Sequence, residues 1–276
     1  SLALPDMGYI GRSYRLIIEA LRQPYGMILT SGPTGSGKTT TMYALIQAIK
    51  TDALNIVTLE DPVEYPLNLM RQTSVNEVAR MDFANGIRSI MRQDPDIILV
   101  GEVRDKETAE MAFRAAMTGH QVFTTLHTNS ALGAFPRLLD IGIQPDIMAG
   151  NIIGIIAQRL VRTLCAHCKE AYAPAPEERK LLGPAADAVT HIYKPAGCKQ
   201  CSDKGYKGRL PIMELLVMDA DLDELVACRA TARELREAAM RKGYHTLAEA
   251  GIRRIIDGST TIAEVSRTVD LTGRLG

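Results

Sequence analysis

The sequence predicts an α/β fold with a parallel-rich sheet covered on both faces, carrying a small cysteine-pinned insert and C-terminal helices. Three observations predict it. Short, mostly apolar runs at Met27–Leu29, Asn55–Leu59 and Ile97–Val100 alternate with helical stretches, which is the pattern of strands buried on both faces. A glycine-rich loop, Gly32 to Gly37, joins the first run to a helix. Two Cys-x-x-Cys pairs bracket a proline-containing stretch that shows no sustained strand alternation.

Along the chain, Tyr14, Leu16, Ile17, Ala20 and Leu21 recur at helical spacing, and Pro24-Tyr25-Gly26 ends that helix before the first strand. After the glycine loop come a helix over Thr39–Ile49, strands at Asn55–Leu59 and Ile97–Val100, and a helix over Lys106–Met117. Val78-Ala79-Arg80-Met81, between Asn76 and Phe83, is an unusual lead into the arginine-containing segment that follows. Thr118-Gly119-His120 ends a helix, a short strand follows to His127, and Pro136 begins or bends the next helix. From about Leu164 the character changes: Pro174, Pro176, Pro184 and Pro195 break the stretch between Ala171 and Ala196. Beyond Glu214 the chain is helical again, with capping-box spacing at Thr231/Glu234 and Thr261/Glu264 and with Gly243 and Gly258 where helices stop. The expected segments are residues 1–163 for the core, 164–213 for a zinc insert and 214–276 for C-terminal helices.

Composition excludes several classes. With 276 residues, 46% of them hydrophobic, the chain is long enough to bury a sizeable core. Its 32 basic and 32 acidic residues balance, so the basic surplus of a dedicated nucleic-acid binder is missing, although a local basic groove stays open. The longest nearly apolar stretch, Ile147 to Ala157, is interrupted by Gly150, Asn151 and Gly154 and falls short of the ~20 residues of a membrane helix. The first residues, Ser1 to Asp6, show no secretory signal, which points to the cytoplasm unless a signal has been removed.

Gly32-Pro33-Thr34-Gly35-Ser36-Gly37-Lys38-Thr39, followed by Thr40, satisfies G-x-x-x-x-G-K-[ST] between a strand and a helix. Glycines at this spacing let successive N–H groups turn inward around phosphates, with the positive end of the helix aimed at them. Lys38 then reaches the β and γ phosphates and the Thr39 hydroxyl ligates Mg²⁺. Two acidic groups follow apolar strands: Glu60, Asp61 and Glu64 after one, and Glu102 and Asp105, with the basic Arg104 between them, after the other. The carboxyl ends of strands in an open α/β sheet face the ligand crevice, so both groups are expected at the phosphate loop. Gly101 stands where the second strand would usually end in a magnesium-holding Asp, which makes Glu102 a candidate for activating water rather than for binding the metal. His127 at a further strand end is placed to sense or polarise the γ-phosphate, and His120 is a second candidate.

Cys165-Ala-His-Cys168 and Cys198-Lys-Gln-Cys201 are separated by 29 residues, and Cys228 stands alone. Two short-loop pairs supply four thiolates to a tetrahedral Zn²⁺ with no open coordination position, which is a structural site. Redox-active pairs, unligated thiols and His167 as a substitute ligand are the alternatives.

These motifs in this order resemble the type II secretion and type IV pilus assembly ATPases, in the zinc-bearing secretion and pilus-extension branch. The residues that carry the resemblance are the phosphate loop with its continuation to Tyr43, the box Glu60 to Tyr65, and Arg88 to Asp96 leading to Gly101–Asp105. Thr118-Gly119-His120, Thr125 to Thr128, Gln158-Arg159-Leu160 and the cysteine pairs complete it. The resemblance covers about residues 5 to 270. It implies a RecA-like P-loop core that hydrolyses ATP to ADP and phosphate, Glu60 and Glu102 as the acids that position or activate water, and His120 and His127 as a histidine box near the γ-phosphate. It also implies a homohexamer, peripheral at the inner membrane, that acts with an inner-membrane platform protein and a cytoplasmic assembly adaptor. Such proteins carry a further upstream domain that supplies arginines to the nucleotide site, so the 276 residues are expected to be the C-terminal ATPase part, binding nucleotide and hydrolysing it weakly. A RecA-like nucleic-acid translocase with a zinc ribbon is the competing reading, against which stand only 4 Phe, no Trp and no Lys/Arg run along a backbone track. A non-hydrolysing nucleotide-dependent scaffold is the third.

Overall fold

The computed structural model describes residues 3–9, 11–33, 35–75 and 82–272. Thr34 of the glycine loop and the lead Val78 to Met81 lie outside the described residues. Helix α1 (Gly11–Leu21) buries Ile17, Ala20 and Leu21 on the stripe that its spacing predicts. Strand β1 (Gly26–Ser31) is buried at every residue, and α2 (Lys38–Ile49) starts at the lysine of the glycine loop. Then come β2 (Ile56–Glu60), β3 (Met70–Ser74) and α3 (Phe83–Met91), the last capped by the Asp82 carboxyl, which accepts from Asn85 N. Strand β4 (Ile97–Val100) leads to α4 (Lys106–Met117), β5 (Gln121–Leu126) and α5 (Ala134–Ile141). Pro136 lies in the first turn of α5, where a missing N–H breaks no helical hydrogen bond.

The remaining elements are α6 (Pro145–Met148), β6 (Ile152–Leu164), β7 (Glu170–Tyr172), α7 (Pro176–Leu182), β8 (Ile192–Lys194) and β9 (Tyr206–Val217). Helices α8 (Ala220–Ala227), α9 (Ala232–Arg241), α10 (Leu247–Ile256) and α11 (Ile262–Ser266) complete the chain. The long strands β6 and β9 are the largest departure from the sequence reading. The apolar run after Ile147 continues as strand through Leu164, and the helices resume at Ala220 rather than directly after Glu214. The sheet order is β3-β2-β4-β5-β1-β6-β9, and β1 to β5 pair in parallel throughout, as does β1 with β6.

The chain forms two compact units whose lines differ from the three expected segments: residues 1–157 with 215–244, and residues 158–214 with 245–276. Hydrogen bonds account for the grouping. In the first unit Met218 N donates to Ile153 O (2.9 Å) and Arg12 to the Lys242 carbonyl (2.6 Å). In the second, Leu164 N donates to Ser259 O, Thr260 to Arg162 O and Leu247 N to the Glu214 carboxyl. Gly243 and Gly258 adopt left-handed conformations directly after α9 and α10, as helix stops require.

Thr231 and Glu234 form the expected capping box. At α11 the box is half made: Thr261 accepts from Glu264 N, but the Glu264 carboxyl turns instead to Arg162 N (2.8 Å) and to the Arg162 and Arg267 guanidiniums. The reason is strength, because charge-assisted bonds outweigh a neutral return bond to the cap. Burial alone would raise the Glu264 carboxyl, and these arginines outweigh it and hold it below the ordinary 4.5. A depressed folded pKa stabilises fully above the unfolded value and is lost as pH falls through the folded one. Glu264→Gln is therefore expected to cost about 2 kcal/mol near neutral pH and to flatten the loss of stability below about pH 4.5, read from denaturant midpoints across pH. Equal pH slopes for both proteins would contradict the assignment.

Candidate functional site

A cleft of about 430 Å³ lies at the carboxyl ends of β1, β2, β4 and β5. Gly35, Gly37, Lys38, Thr39 and Thr40 line it with Glu60, Asp61, Glu64, Glu102, Arg104 and His127. The parallel register brings them together. Leu59 pairs with Val100, Val100 with Thr124 and Ser31 with Leu126, so the residues following each strand emerge side by side.

The glycine loop leaves β1 with Gly32 N donating to Leu126 O (3.1 Å), and Ser36 N turns back to Pro33 O (3.2 Å). Gly37, at φ 84°, hands the chain to α2 in a left-handed conformation that few other residues adopt. Lys38 Nζ donates to Gly32 O (2.8 Å) and reaches His127 Nδ1 (3.3 Å). His127 Nε2 meets Glu102 Oε1, so a tautomer with its proton on Nε2 donates to Glu102 and accepts from Lys38. Arg104 Nε donates to Glu102 Oε2 at 2.7 Å. Burial would raise the Glu102 carboxyl, but Arg104, His127 and Lys38 outweigh it and hold it below the ordinary range.

Glu60 ends β2 and is 3% exposed. Its Oε1 accepts from the Tyr43 hydroxyl and its Oε2 from Thr58 Oγ1 at 2.7 Å. Asp61 and Glu64 are exposed on the loop beyond. Gly101 has a packing reason to be glycine: a β-carbon there would lie 3.2 Å from Glu60 Cα and 3.4 Å from Leu59 O. An aspartate in that place would push the end of β2 away, so the acids are carried by Glu60 on one strand and Glu102 after the other.

The structure separates the two histidines that the resemblance pairs. His120 precedes β5 and His127 follows it, which puts them roughly 20 Å apart along the strand. His120 Nδ1 contacts the Ala115 carbonyl at 2.9 Å, closing the end of α4 away from the cleft. Asp105, by contrast, is a helix cap, accepting from Thr108 N at 2.8 Å. Sequence reasoning singled out neither Thr58 nor Gln72 and gave Tyr43 no task. Their signal lies in period two along β2 for Thr58, while Gln72, on β3 beside β2, is visible only in three dimensions.

The second cluster gathers Cys165, Cys168, Cys198 and Cys201, whose sulfurs all lie within 4.8 Å of one another. Three of the separations are 3.8 Å: Cys165–Cys198, Cys168–Cys201 and Cys198–Cys201. A tetrahedron with metal–sulfur bonds of about 2.3 Å has edges of about 3.8 Å, so the donor set fits Zn²⁺ without rearrangement. Gly197 N donates to Cys168 Sγ, and Cys198 N and Gly205 N to Cys201 Sγ, at 3.2–3.3 Å. Burial would raise the Cys201 thiol; these N–H groups and the neighbouring sulfurs outweigh it and bring it down to about 6. His167 is exposed and outside the cluster.

The sequence pattern of the type II/IV secretion system protein family matches residues 1–267. The chain is 44% identical to the "type II secretion system protein E" of Pseudomonas aeruginosa over 96% of its own length and 53% of that protein's. It is 42% identical, with the same coverage, to the "type II secretion system ATPase E" of Vibrio cholerae. To the "type IV pilus assembly ATPase PilB" of Thermus thermophilus it is 43% identical over 97% of this chain and 30% of that one. The chain thus spans about half the length, or less, of the curated relatives it matches. Among solved structures it is similar to the pilus retraction motor PilT with bound ADP, with a TM-score of 0.69, 28% identity, and coverage of 96% of this chain and 66% of that one. A TM-score of 0.67 with the Legionella pneumophila ATPase DotB, at 24% identity over 96% of this chain and 64% of that one, shows the same fold.

Gly101→Ala is expected to cost about 1–3 kcal/mol in denaturant unfolding, because the end of β2 must give way; an unchanged midpoint would contradict the close approach. Purified chain is expected to carry one zinc, and Cys165→Ser with Cys198→Ser to lose it and become protease-sensitive within residues 158–214 while nucleotide affinity holds. Retained zinc with lost nucleotide binding would reverse the assignment.

Proposed function

The chain belongs to the type II/IV secretion system protein family, and from that premise we propose that it is an ATP-binding and hydrolysing motor domain powering assembly of type IV pili or type II secretion pseudopili. The observation that carries the proposal is the convergence of Lys38, Glu60, Glu102 and His127 from four strand ends on one cleft. A P-loop alone binds nucleotide, and acids beside the γ-phosphate make it an ATPase.

In this reading the loop from Gly32 to Gly37 and the amino end of α2 cradle the phosphates. Lys38 exchanges Gly32 O and His127 for the β and γ phosphates, and the Thr39 hydroxyl holds Mg²⁺, which offsets phosphate charge when bound. Glu60 orients water at the γ-phosphorus and Glu102 accepts its proton. The new P–O bond forms as the bond to the β–γ bridging oxygen breaks, and ADP leaves with that oxygen. Asp61 and Glu64 line the same cleft, and His127, released by Lys38, reports the γ-phosphate. Turnover by the 276 residues alone is slow, because arginines at such sites contribute on the order of 10³-fold or more and Arg104, the arginine that lines this cleft among the described residues, is committed to Glu102.

The tetracysteine site is structural and clamps its irregular insert. The three-segment organisation, with core, zinc insert and C-terminal helices at 1–163, 164–213 and 214–276, is the corresponding functional division. The working form is a homohexamer, peripheral at the cytoplasmic side of the inner membrane, acting with a platform protein and an assembly adaptor and with no nucleic acid. Among the described residues no helix is long and apolar enough to cross a membrane.

Lys38→Ala is expected to weaken Mg·ATP binding at least tenfold, whereas Glu102→Gln binds normally and loses 10²-fold or more of its turnover, measured by titration and phosphate release. Wild-type turnover by Glu102→Gln would overturn the role given to that acid.

A further inference from the structure

We propose that Tyr43 is a positioning residue for hydrolysis, its phenol fixing the orientation of the Glu60 carboxyl in the cleft. The proposal rests on the reading of Glu60 as an acid of that reaction. Tyr43 is 1% exposed, and its hydroxyl donates to Glu60 Oε1. A phenylalanine would fill the same volume, so packing accounts for the ring and the carboxyl accounts for the hydroxyl.

Three features make the contact a positioning device. Tyr43 lies four residues beyond Thr39 on α2, one turn along the same face, so the helix that begins at the phosphate loop also holds the acid. Thr58, two residues before Glu60 on the same face of β2, takes the other oxygen at 2.7 Å, which leaves the carboxyl little freedom to rotate. Gln72 then ties in the acidic loop, donating to Tyr65 O (3.1 Å) and accepting from Leu67 N (2.7 Å), while the Tyr65 ring packs edge-on against Tyr43 with centroids 5.0 Å apart. Burial first, and Glu60 second, push the Tyr43 phenol well above its ordinary value, so it remains a donor throughout the working pH range.

The test compares Tyr43→Phe, Glu60→Gln and the double variant in the 276-residue chain. Two quantities are read: kcat and KM for Mg·ATP by phosphate release, and affinity for Mg·ADP with aluminium fluoride, which scores the transition-state geometry without turnover. Tyr43→Phe is expected to lower kcat about tenfold and to weaken the aluminium fluoride complex about as much, with KM and Mg·ADP affinity unchanged and the protein still folded at the assay temperature despite a lower melting temperature. The double variant is expected to be no slower than Glu60→Gln alone. Unchanged kcat and aluminium fluoride affinity, a raised KM at full kcat, or an additive loss in the double variant would each overturn the positioning role. If Glu60→Gln itself hydrolyses at the wild-type rate, the reading of Glu60 falls and the proposal with it; if Glu60→Gln is slow and Tyr43→Phe is not, only the role of Tyr43 falls.

Discussion

The cleft depends on the close approach of β2 and β4 at their carboxyl ends. Gly101 N donates to Leu59 O at 2.8 Å, and the missing side chain of Gly101 lets Glu60 lie alongside. With that contact made, Glu60 and Glu102 emerge one strand apart, and β5 and β1 bring His127 and Lys38 to the same line. Thr125 Oγ1 donating to Gly101 O (2.6 Å) and Val103 N to Thr125 O (3.1 Å) lock β5 to this junction. The site is thus a property of strand register, held by backbone and small residues more than by the charged groups that it presents.

The charged groups form a circuit that runs in a line without closing. Arg104, Glu102, His127, Lys38 and the Gly32 carbonyl follow one another as donors and acceptors. In the proposed reading an incoming γ-phosphate competes with two of these contacts at Lys38, so that binding at the loop would be felt at Glu102 through one imidazole. Glu60 stands apart from the circuit, buried and held by Tyr43 and Thr58. The two acids are thereby placed under different control, one linked to the phosphate loop through ion pairs and the other through the helix that follows it.

Much of this was legible in the sequence because the signals are local. The strand–loop–helix unit around Gly32–Lys38, the apolar run Ile97–Val100 and the helix Lys106–Met117 depend on residues close together in the chain, and the structure has them where the pattern puts them. Four cysteines in two pairs were legible for the same reason. What escaped were interactions across the fold. β6 reads as an apolar run, and β9 divides between the end of the expected insert and the start of the expected helices, because their pairing partners are distant, the first 125 residues away from β1. The half-made cap at Glu264 is set by Arg162, 102 residues earlier. His120 is a second candidate beside His127 in the sequence, and the direction of β5 leaves only His127 at the end that lines the cleft.

The central claim is that one cleft holds the γ-phosphate between the loop lysine and two acids on neighbouring strands. A crystal structure of the chain with Mg²⁺ and a non-hydrolysable ATP analogue tests it most directly. The account predicts Lys38 on the β and γ phosphates, the γ-phosphate within one water of both Glu60 and Glu102, and His127 released from Lys38. A nucleotide seated in the loop with either acid more than one water away from the γ-phosphate would contradict it.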